Sequence, residues 1–281
     1  MKSNMSSYHS SFRYLNKKSD DLGLVIVHFN PDVGETDSYL SQEQVYTDSV
    51  KGTKRILYGT RYNSVAIVQI TVMKKDKSDF SLEECRGAYR WLTGNQNASW
   101  LDLYVADKIK YSMLCTVQDV KPQKLDARTV ALNIYFESVS PWAYSPECEY
   151  GFLLGPDDYG PVSLELNNQT DDLYTSVYLN VQVENDTGDN ISIKNETLGE
   201  ETIITGLNKH ETVTISSEQF IVSDVPNKIF GNKFNFVWPR LAPGTNSFLI
   251  KGNIKSFLAK YRHPIKIGDC AIDVDDLNGG C

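Results

Sequence analysis

Residues 109–117, with the sequence IKYSMLCTV, carry an apolar side chain at every odd-numbered position. Successive residues of a strand point to opposite faces of a sheet, so this period of two predicts a strand that buries one face. Residues 130–136, with the sequence VALNIYF, repeat the pattern. The two stretches therefore predict half-buried antiparallel strands.

Outward from these strands, the same half of the chain contains one predicted helix. Ser81 can cap its first turn, Glu84 completes a capping box, and Gly94 can end it. Apolar residues recur between them at helical spacing, which predicts a face that packs on a sheet. That face consists of Leu82, Cys85, Ala88, Tyr89 and Leu92.

The second half of the chain again alternates between apolar and polar residues. Short strands separated by regular turns favour a β-sandwich. The strands are predicted near residues 162–166, 177–183, 213–215, 234–238 and 254–261.

Proline and glycine cluster in Ser140–Pro161, between the two strand-rich halves. Such a cluster is typical of a linker between domains. We therefore predict a mostly β protein with two domains, residues 1–145 and residues 150–281. The second domain is expected to end in a solvated acidic tail.

Residues 30–61, here called the arm segment, break the alternation and mix acidic, hydroxyl and isolated aromatic residues. A connection of this length inside a compact domain is usually functional, disordered or an extended arm. Two interpretations remain open: an arm that packs against a neighbouring subunit, and a loop without fixed structure. An arm would bury its apolar side chains against the neighbour. The candidate oligomer-interface residues are Tyr39, Leu40, Val45 and Tyr46.

The formal net charge of −8 argues against a bound nucleic acid, because neutralising phosphates needs clustered Lys and Arg. An acidic surface could still face DNA and repel it. No apolar run approaches the ~20 residues of a membrane helix. Residues 1–11 are polar and lack the apolar core of a signal peptide. We expect synthesis in the cytoplasm and no membrane insertion.

The five cysteines give no sign of a metal or redox centre, because the close spacing of such sites is absent. Cys85 and Cys115 fall on the apolar faces of the predicted helix and strand, so we interpret both as core residues. Several Asn-x-Ser/Thr triplets occur, which we attribute to Asn-rich strands and turns rather than to glycosylation. They begin at Asn97, Asn168, Asn185, Asn190 and Asn195.

No pattern typical of a catalytic or cofactor site is present. The sequence lacks a Gly-rich phosphate loop, HExxH and GxSxG, and its four histidines are scattered. Adjacent acids such as Glu83 and Glu84 point in different directions on a helix, so their adjacency is no evidence for a glycosidase pair. We predict no enzyme activity, no catalytic residue, no cofactor and no metal.

A series of short motifs follows in order along the chain. The first half carries Phe12-Arg13-Tyr14, Gly23–Ile26, Gly59–Tyr62, Trp91-Leu92, Trp100–Leu103, Tyr135–Glu137 and an exit segment, Ser140–Ser145. The second half carries Ile203–Leu207, Glu211–Ile215, Trp238–Asn246 and Ile254–Pro264. This ordered series resembles the phage distal tail protein family, often called Dit. The arm segment and the acidic tail past Ile267 do not follow the family's pattern.

The resemblance implies an N-terminal β-sandwich with one helix, related to tail-tube subunits, that assembles as a hexameric ring. It implies a C-terminal galectin-like β-sandwich that projects outward. The ring would join the tail tube to a tail-tip or hub protein and to receptor-binding or fibre proteins of the virion. A ring that passes DNA is expected to present an acidic lumen. The family implies no enzymatic residue.

Other functions remain open. Galectin-like sandwiches can bind sugar through an exposed Trp, and Trp238 is the only Trp of the second half, although its alternation with Phe234 and Phe236 predicts a core position. A tail-tube or baseplate-hub subunit is the second alternative, and a hydrolase is the third.

Overall fold

The computed structural model describes residues 10–27, 42–47, 56–62, 67–105, 107–155 and 160–266. Strands dominate these residues, and the one α-helix among them, α1, spans Leu82–Thr93. The described residues divide into two compact units, residues 10–146 with Lys266, and residues 147–265. The prediction of a mostly β fold with a single helix is confirmed.

The first unit is built on one antiparallel sheet. Its strands pair in the order β2-β1-β7-β8-β9-β6-β3, with β10 beside β8, while β4 and β5 form a separate pair. A short 3-10 helix, Asp20–Leu22, precedes β3. The strands are β1 Ser11–Tyr14, β2 Lys17–Lys18, β3 Leu24–Ile26, β4 Gln42–Thr47, β5 Ile56–Tyr62, β6 Ile67–Lys74, β7 Ser99–Val105, β8 Lys108–Leu125, β9 Arg128–Ser138 and β10 Ala143–Tyr144.

The β8–β9 hairpin follows from the alternation that opens the sequence analysis. The buried odd positions of β8 pair with β9 so that the inward side chains of both strands share one face. Asp126 and Ala127 join the strands with φ of 49° and 69°, the twist that a two-residue hairpin turn needs. The register shifts between Val117 and Asp119, a bulge that returns Val120 to the buried face.

Helix α1 begins with the predicted capping box. The Ser81 side chain accepts a hydrogen bond from the Glu84 backbone N–H, and the Glu84 carboxylate accepts one from the Ser81 N–H. Those contacts and Lys74 lower the pKa of Glu84 to about 2, with Lys74 the largest cause. The helix begins where the sequence places its start, so local chemistry defines this boundary.

The buried face of α1 differs from the predicted one at its first residue. Cys85 and Leu92 are buried as expected, but Leu82 is 80% exposed. Trp91, which the sequence pattern left off the stripe, is buried. At 100° per residue, including Trp91 turns the centre of the buried face away from Leu82, which therefore lies at its margin.

The second unit is a sandwich of two antiparallel sheets. One sheet has the order β11-β21-β14-β17-β18 and the other β12-β20-β15-β16, and apolar side chains of both fill a common core. A 3-10 helix spans Gly231–Lys233. The strands are β11 Cys148–Leu153, β12 Val162–Asn168, β13 Val177–Tyr178, β14 Asn180–Asn185, β15 Ile191–Asn195, β16 Glu200–Ile204, β17 Thr212–Ile215, β18 Ile221–Ser223, β19 Arg240–Leu241, β20 Gly244–Lys251, β21 Ile254–Tyr261 and β22 Pro264–Ile265.

The strand predicted at residues 234–238 is wrong. Phe234 is buried, but Phe236 has a φ of 59° and is 67% exposed. A left-handed residue in the middle reverses the chain, so the alternation in sequence does not become an alternation in space. Trp238 is half-buried and packs against the core.

The two segments predicted as irregular contain regular structure. Ser140–Pro161 holds β10 and β11, so proline and glycine there separate short strands. The arm segment holds β4 and all of β5 except Tyr62, and the two strands pair antiparallel.

Candidate assembly surfaces

Two of the motifs that carry the family resemblance meet on the sheet of the first unit. Arg13 lies opposite Asp102 in the register of β1 and β7, and Asp102 lies opposite Ser112 of β8. The Arg13 Nε and Nη2 atoms donate to Asp102 Oδ2 at 2.9 and 2.7 Å, and Ser112 Oγ donates to Oδ1 at 2.5 Å. The Asp102 side chain is 2% exposed. The three residues therefore join three adjacent strands through a satisfied buried carboxylate.

A second contact joins the helix motif to the first strand. The Trp91 ring stacks on Phe12 with centroids 5.8 Å apart, and its Nε1 donates to the Tyr14 carbonyl at 3.0 Å. Tyr14 in turn packs edge-on against Phe136 at 5.2 Å. These motif residues hold the sheet and helix together, so their role in this structure is structural.

The exit segment, Ser140–Ser145, also belongs to this framework. Tyr144 pairs with Ser112 of β8, and its ring meets Trp100 edge-on at 5.1 Å. Trp142 and Ala143 are buried. The aromatic motif at the end of the first unit thus packs on the sheet rather than acting as a bare linker.

On the sheet face that does not pack against α1, the part formed by β6, β8 and β9 carries polar side chains. We call this part the polar face. Its side chains come from positions of β6, β8 and β9 that alternate with the buried ones. Thr71 Oγ1 donates to Asn133 Oδ1 at 2.8 Å, and Lys121 contacts both Asp119 and the Tyr135 ring. The polar face consists of Gln69, Thr71, Thr116, Asp119, Lys121, Asn133, Tyr135 and Glu137.

Charge is divided unevenly along the chain. Residues 1–146 contain 18 Lys and Arg against 16 Asp and Glu, a net charge of +2. Residues 147–265 contain 9 against 16, a net charge of −7. The acidic character of the chain therefore lies in its second half, and it gives no support to an acidic lumen formed by the first. The polar face itself carries two acids and one lysine.

The predicted interface residues lie in two kinds of place. Val45 and Tyr46 belong to β4, where they pair with Gly59 and Leu57 across a register shift. Tyr39 and Leu40 lie outside the described residues. Their role in assembly stays a prediction.

In the second unit, the Pro-Gly-x-Asn motif has a clear local function. Gly244 takes a φ of 87°. Asn246 is buried, accepts the Ala242 N–H at 2.8 Å, and donates to the carbonyls of Ala242 and Gly244. Asn195 donates to Asn246 Oδ1 at 3.1 Å and to the Arg240 carbonyl. The two amides together fix the turn before β20.

The Asn-x-Ser/Thr triplets of this unit follow from such turns. Asn168, Asn185 and Asn195 are buried, and each donates its side-chain amide to a backbone carbonyl. An amide used in this way is not open to a glycan. The interpretation of these triplets as turn residues agrees with their positions.

A deeply buried ion pair of the second unit joins Lys228 to Glu211. Lys228 Nζ lies 2.5 Å from Glu211 Oε2, with side chains 7% and 0% exposed. Burial raises the pKa of Glu211, but hydrogen bonds from the Asn208 backbone, Lys228 and Ser223 outweigh it and leave the pKa below its usual value. The pair anchors the loop between β18 and β19 to the rest of the unit.

An aromatic cluster lies in that same loop. Phe234 contacts Trp238 at 4.8 Å and Phe236 at 5.6 Å between ring centroids. Trp238, the candidate sugar-binding residue, rests against the core, whereas Phe236 points its ring to solvent. The sequence singled out Trp238, but Phe236 is the more exposed of the two. The difference follows from the backbone conformation of Phe236.

Three of the five cysteines lie in the described part of the chain. Cys85 and Cys115 are buried and free, as predicted, and burial raises the pKa of Cys115 to about 12. Cys148 is disulfide-bonded. Cysteine spacing does not reveal such a bond, since it can join residues far apart in sequence.

The described ranges contain neither a metal-binding cluster nor a membrane-spanning helix. No group of three or more His, Cys, Asp and Glu side chains is arranged to hold a metal ion there. Nor does any helix in the described part of the chain have the length and apolarity to span a membrane.

Comparison with known structures gives the same fold over nearly the whole chain. The SPP1 Dit protein, described as a paradigm of the hub adsorption apparatus in phages that infect Gram-positive bacteria, has a TM-score of 0.58 at 9% identity and covers 91% of this chain and 98% of that one. A chain of the phage p2 baseplate activated with Ca has a TM-score of 0.59 at 8% identity, covering 92% and 99%. The baseplate with Sr gives 0.57 at 8% identity over the same shares.

Family models match the sequence in two consecutive parts. One, described as a phage tail protein N-terminal domain, matches residues 7–140, and another, described as a phage tail C-terminal domain, matches residues 142–258. No curated protein matches the sequence. The chain belongs to the family of phage tail proteins that these two domains describe, and it has the fold of a phage distal tail protein.

Proposed function

We propose that this protein forms a ring, of six copies, at the distal end of a phage tail tube. The ring connects the tube to the tail tip or baseplate and its receptor-binding apparatus. The observation that supports this most is the match of both family models, in order, together with a fold shared over 91% of the chain with SPP1 Dit. The role is structural, with no chemical step assigned to any residue, and the subunit is made in the host cytoplasm before it joins the virion.

The first unit supplies the ring in this proposal. One face of its sheet is sealed by α1 and buried aromatic side chains, which leaves the polar face to line the channel. Channel walls that pass DNA need to avoid tight phosphate contacts. The polar face meets that need through neutral amides and hydroxyls and a lysine already engaged by Asp119 and Tyr135.

The arm segment supplies the contact between neighbours in the ring. A two-stranded hairpin alone is marginally stable in water, so the β4–β5 pair gains from a surface to pack on. In a closed ring, that surface is a different face of the next subunit. The interface residues proposed are Tyr39, Leu40, Val45 and Tyr46.

The test of ring assembly is particle size. The purified wild-type chain should give rings in negative-stain images, and replacing the four arm residues by Ser should give folded monomers with an unchanged circular dichroism spectrum. A wild-type chain that stays monomeric at high concentration, combined with complete tails after deletion of its gene, would refute the ring.

The second unit, residues 150–262 in this proposal, forms outward platforms that dock other tail proteins. Independent folding of the two units is a condition for this arrangement. Limited proteolysis should cut within Ser140–Pro161 and release a stable C-terminal fragment. Cleavage only elsewhere, with that segment protected, would count against separate domains.

A further inference from the structure

Helix α1 carries two exposed arginines that the first unit leaves without a partner. Arg86 lies in the middle of the helix and Arg90 one turn later, so the two side chains project from the same side. Neither guanidinium has a hydrogen bond or an ion pair within the described part of the chain. The other arginines of this unit with described side chains, Arg13 and Arg128, each pair with an aspartate. A cation in the last turn offsets the helix dipole, which accounts for Arg90 but not for Arg86.

The acids nearest to these arginines in sequence are largely engaged elsewhere. Residues 74–93 contain four acids against five Lys and Arg. Glu83 is exposed on the same side of the helix as the arginines, so the net charge of that side is +1. The other three acids have partners within the unit: Asp76 bonds Ser78, Asp79 lies 3.5 Å from Arg128, and Glu84 bonds Ser81 and Lys74.

Gly87, next to Arg86, is a second feature that the fold of the unit does not require. Glycine destabilises the interior of a helix relative to alanine, and the φ of Gly87 is not in the left-handed region. A Cβ built at this position would meet no described atom within 4 Å. This side of α1 is therefore open to the close approach of another chain segment.

The beginning of the arm segment has the complementary charge. The basic part of the arm segment comes later, in residues 51–61, and its Arg61 lies opposite Glu43 within the β4–β5 pair. Residues 30–41 contain no Lys or Arg, so their acids need cations from elsewhere. These acids are Asp32, Glu35 and Asp37.

We propose that residues 30–41 of one copy lie along Arg86, Gly87 and Arg90 of the next copy in the ring, and we call these three residues the seat. Each guanidinium binds a carboxylate of the arm through paired hydrogen bonds, and Gly87 lets the backbone of the arm approach the helix. A stretch of twelve residues can span at most about 40 Å, comparable to the diameter of a domain of this size, so it can reach a neighbouring subunit. This inference rests on the proposed function and names the face of the next subunit that receives the arm.

Charge reversal in two separate variants tests the seat. The seat variant carries Arg86→Glu and Arg90→Glu, and the arm variant carries Asp32→Lys, Glu35→Lys and Asp37→Lys. Each variant alone brings like charges together, so the affinity between subunits should fall about 100-fold or more. Light scattering should then give monomers with an unchanged circular dichroism spectrum, because both seat arginines are exposed. The combined variant, with all these substitutions in one chain, restores opposite charges and should form rings.

An equimolar mixture of the two variants decides whose arm occupies the seat. In a ring where the variants alternate, every contact joins opposite charges, because a normal arm meets a normal seat and a reversed arm meets a reversed seat. The mixture should therefore form rings although neither variant does so alone. If the mixture stays monomeric while the combined variant forms rings, the arm covers α1 of its own chain and the proposal is wrong.

The matched control reverses two exposed lysines of the second unit, Lys209→Glu with Lys251→Glu, which changes the net charge by the same amount as the seat variant. This control should form rings like the wild type. Monomers from the control would attribute the dissociation to net charge and overturn the seat. Rings formed by the seat variant alone would also overturn the seat, while leaving the ring itself intact. A wild-type chain that never forms rings would instead refute the proposed function.

Discussion

The two units of the chain differ in how completely they cover their own sheets. The first closes one face of its sheet with α1 and leaves a polar face and a separate hairpin. The second closes its core between two sheets and secures its turns with buried asparagines. The second unit is therefore closed between its own sheets, whereas the first leaves surfaces on which the proposed assembly could take place.

Their means of stabilisation differ as well. The core of the first unit depends on aromatic stacking between a helix and a strand, as at Trp91 and Phe12. The second depends on polar groups that are buried and fully bonded, such as Glu211 and Asn246. Each unit also contains the other kind of contact, as Asp102 and the Phe234–Trp238 pair show, so the predictions below concern particular residues of one unit.

The largest effect is expected from Leu92→Asp. Leu92 is fully buried on α1, so the substitution places a carboxylate in an apolar core and should destabilise the first unit by about 4 kcal/mol or more. Calorimetry should show the transition of the first unit lost while that of the second remains. Leu82→Asp, on the exposed first turn of the same helix, is the matched control and should change little. Loss of both transitions together would mean that the units do not fold separately.

Lys228→Met tests the buried ion pair of the second unit. The change leaves Glu211 buried and uncompensated, at a cost of about 3–5 kcal/mol. The double variant Lys228→Met, Glu211→Gln should recover part of the loss. If Lys228→Met is as stable as the wild type, the ion pair contributes nothing to the stability of the second unit.

The same ion pair predicts that the second unit loses stability at low pH. The folded pKa of Glu211 lies below its usual 4.5, so its contribution is present above that value and is lost as pH falls through the folded pKa. In Lys228→Met the folded pKa rises, and acid unfolding of the second unit should move to higher pH. An unchanged acid midpoint, followed by fluorescence, would contradict this linkage.

Asn246→Ala is expected to have a smaller effect. It leaves the buried Ala242 N–H without its acceptor and removes a partner of Asn195, at a cost of about 2 kcal/mol. Chemical denaturation of the second unit measures the loss. Asn232→Ala, in an exposed position, provides the control. Equal stability of the two variants would show that the Asn246 turn does not stabilise the second unit.

The smallest effect concerns thiol chemistry. Cys115 is fully buried with a pKa raised to about 12, and burial also raises the pKa of Cys85. Neither should react with iodoacetamide at pH 8 in the native protein, and both should react after denaturation, as read by peptide mapping. Rapid native labelling of either would show that the core of the first unit opens.

Sequence reasoning succeeded where local chemistry decides the structure. The period of two in β8 and β9 and the capping box of α1 were predictable, because each depends on a few adjacent residues. It failed at residues 234–238, where apolar alternation suggested a strand but Phe236 adopts a left-handed backbone. Nothing in the residue type signals that conformation, since it is set by contacts with β16.

The surfaces were less predictable than the fold. Leu82 was placed on the buried face because the role of Trp91 depends on Phe12, a residue far away in sequence. An acidic channel was expected from a ring that passes DNA, yet the excess of acids over Lys and Arg lies in the second half of the chain. A total over the sequence cannot locate a property in space.

The Asn235 side chain has a consequence for the time before assembly. By bonding the Ile203 N–H and the Glu201 carbonyl, its amide imitates a peptide group and completes the outer edge of β16. An open edge strand recruits other strands and leads to aggregation. Subunits of a virion accumulate in an infected cell before they are used. The Asn235 amide closes this edge together with the backbone bonds from Thr205 to Lys233 and from Asn235 to Ile203, and we expect this cover to limit such pairing before assembly.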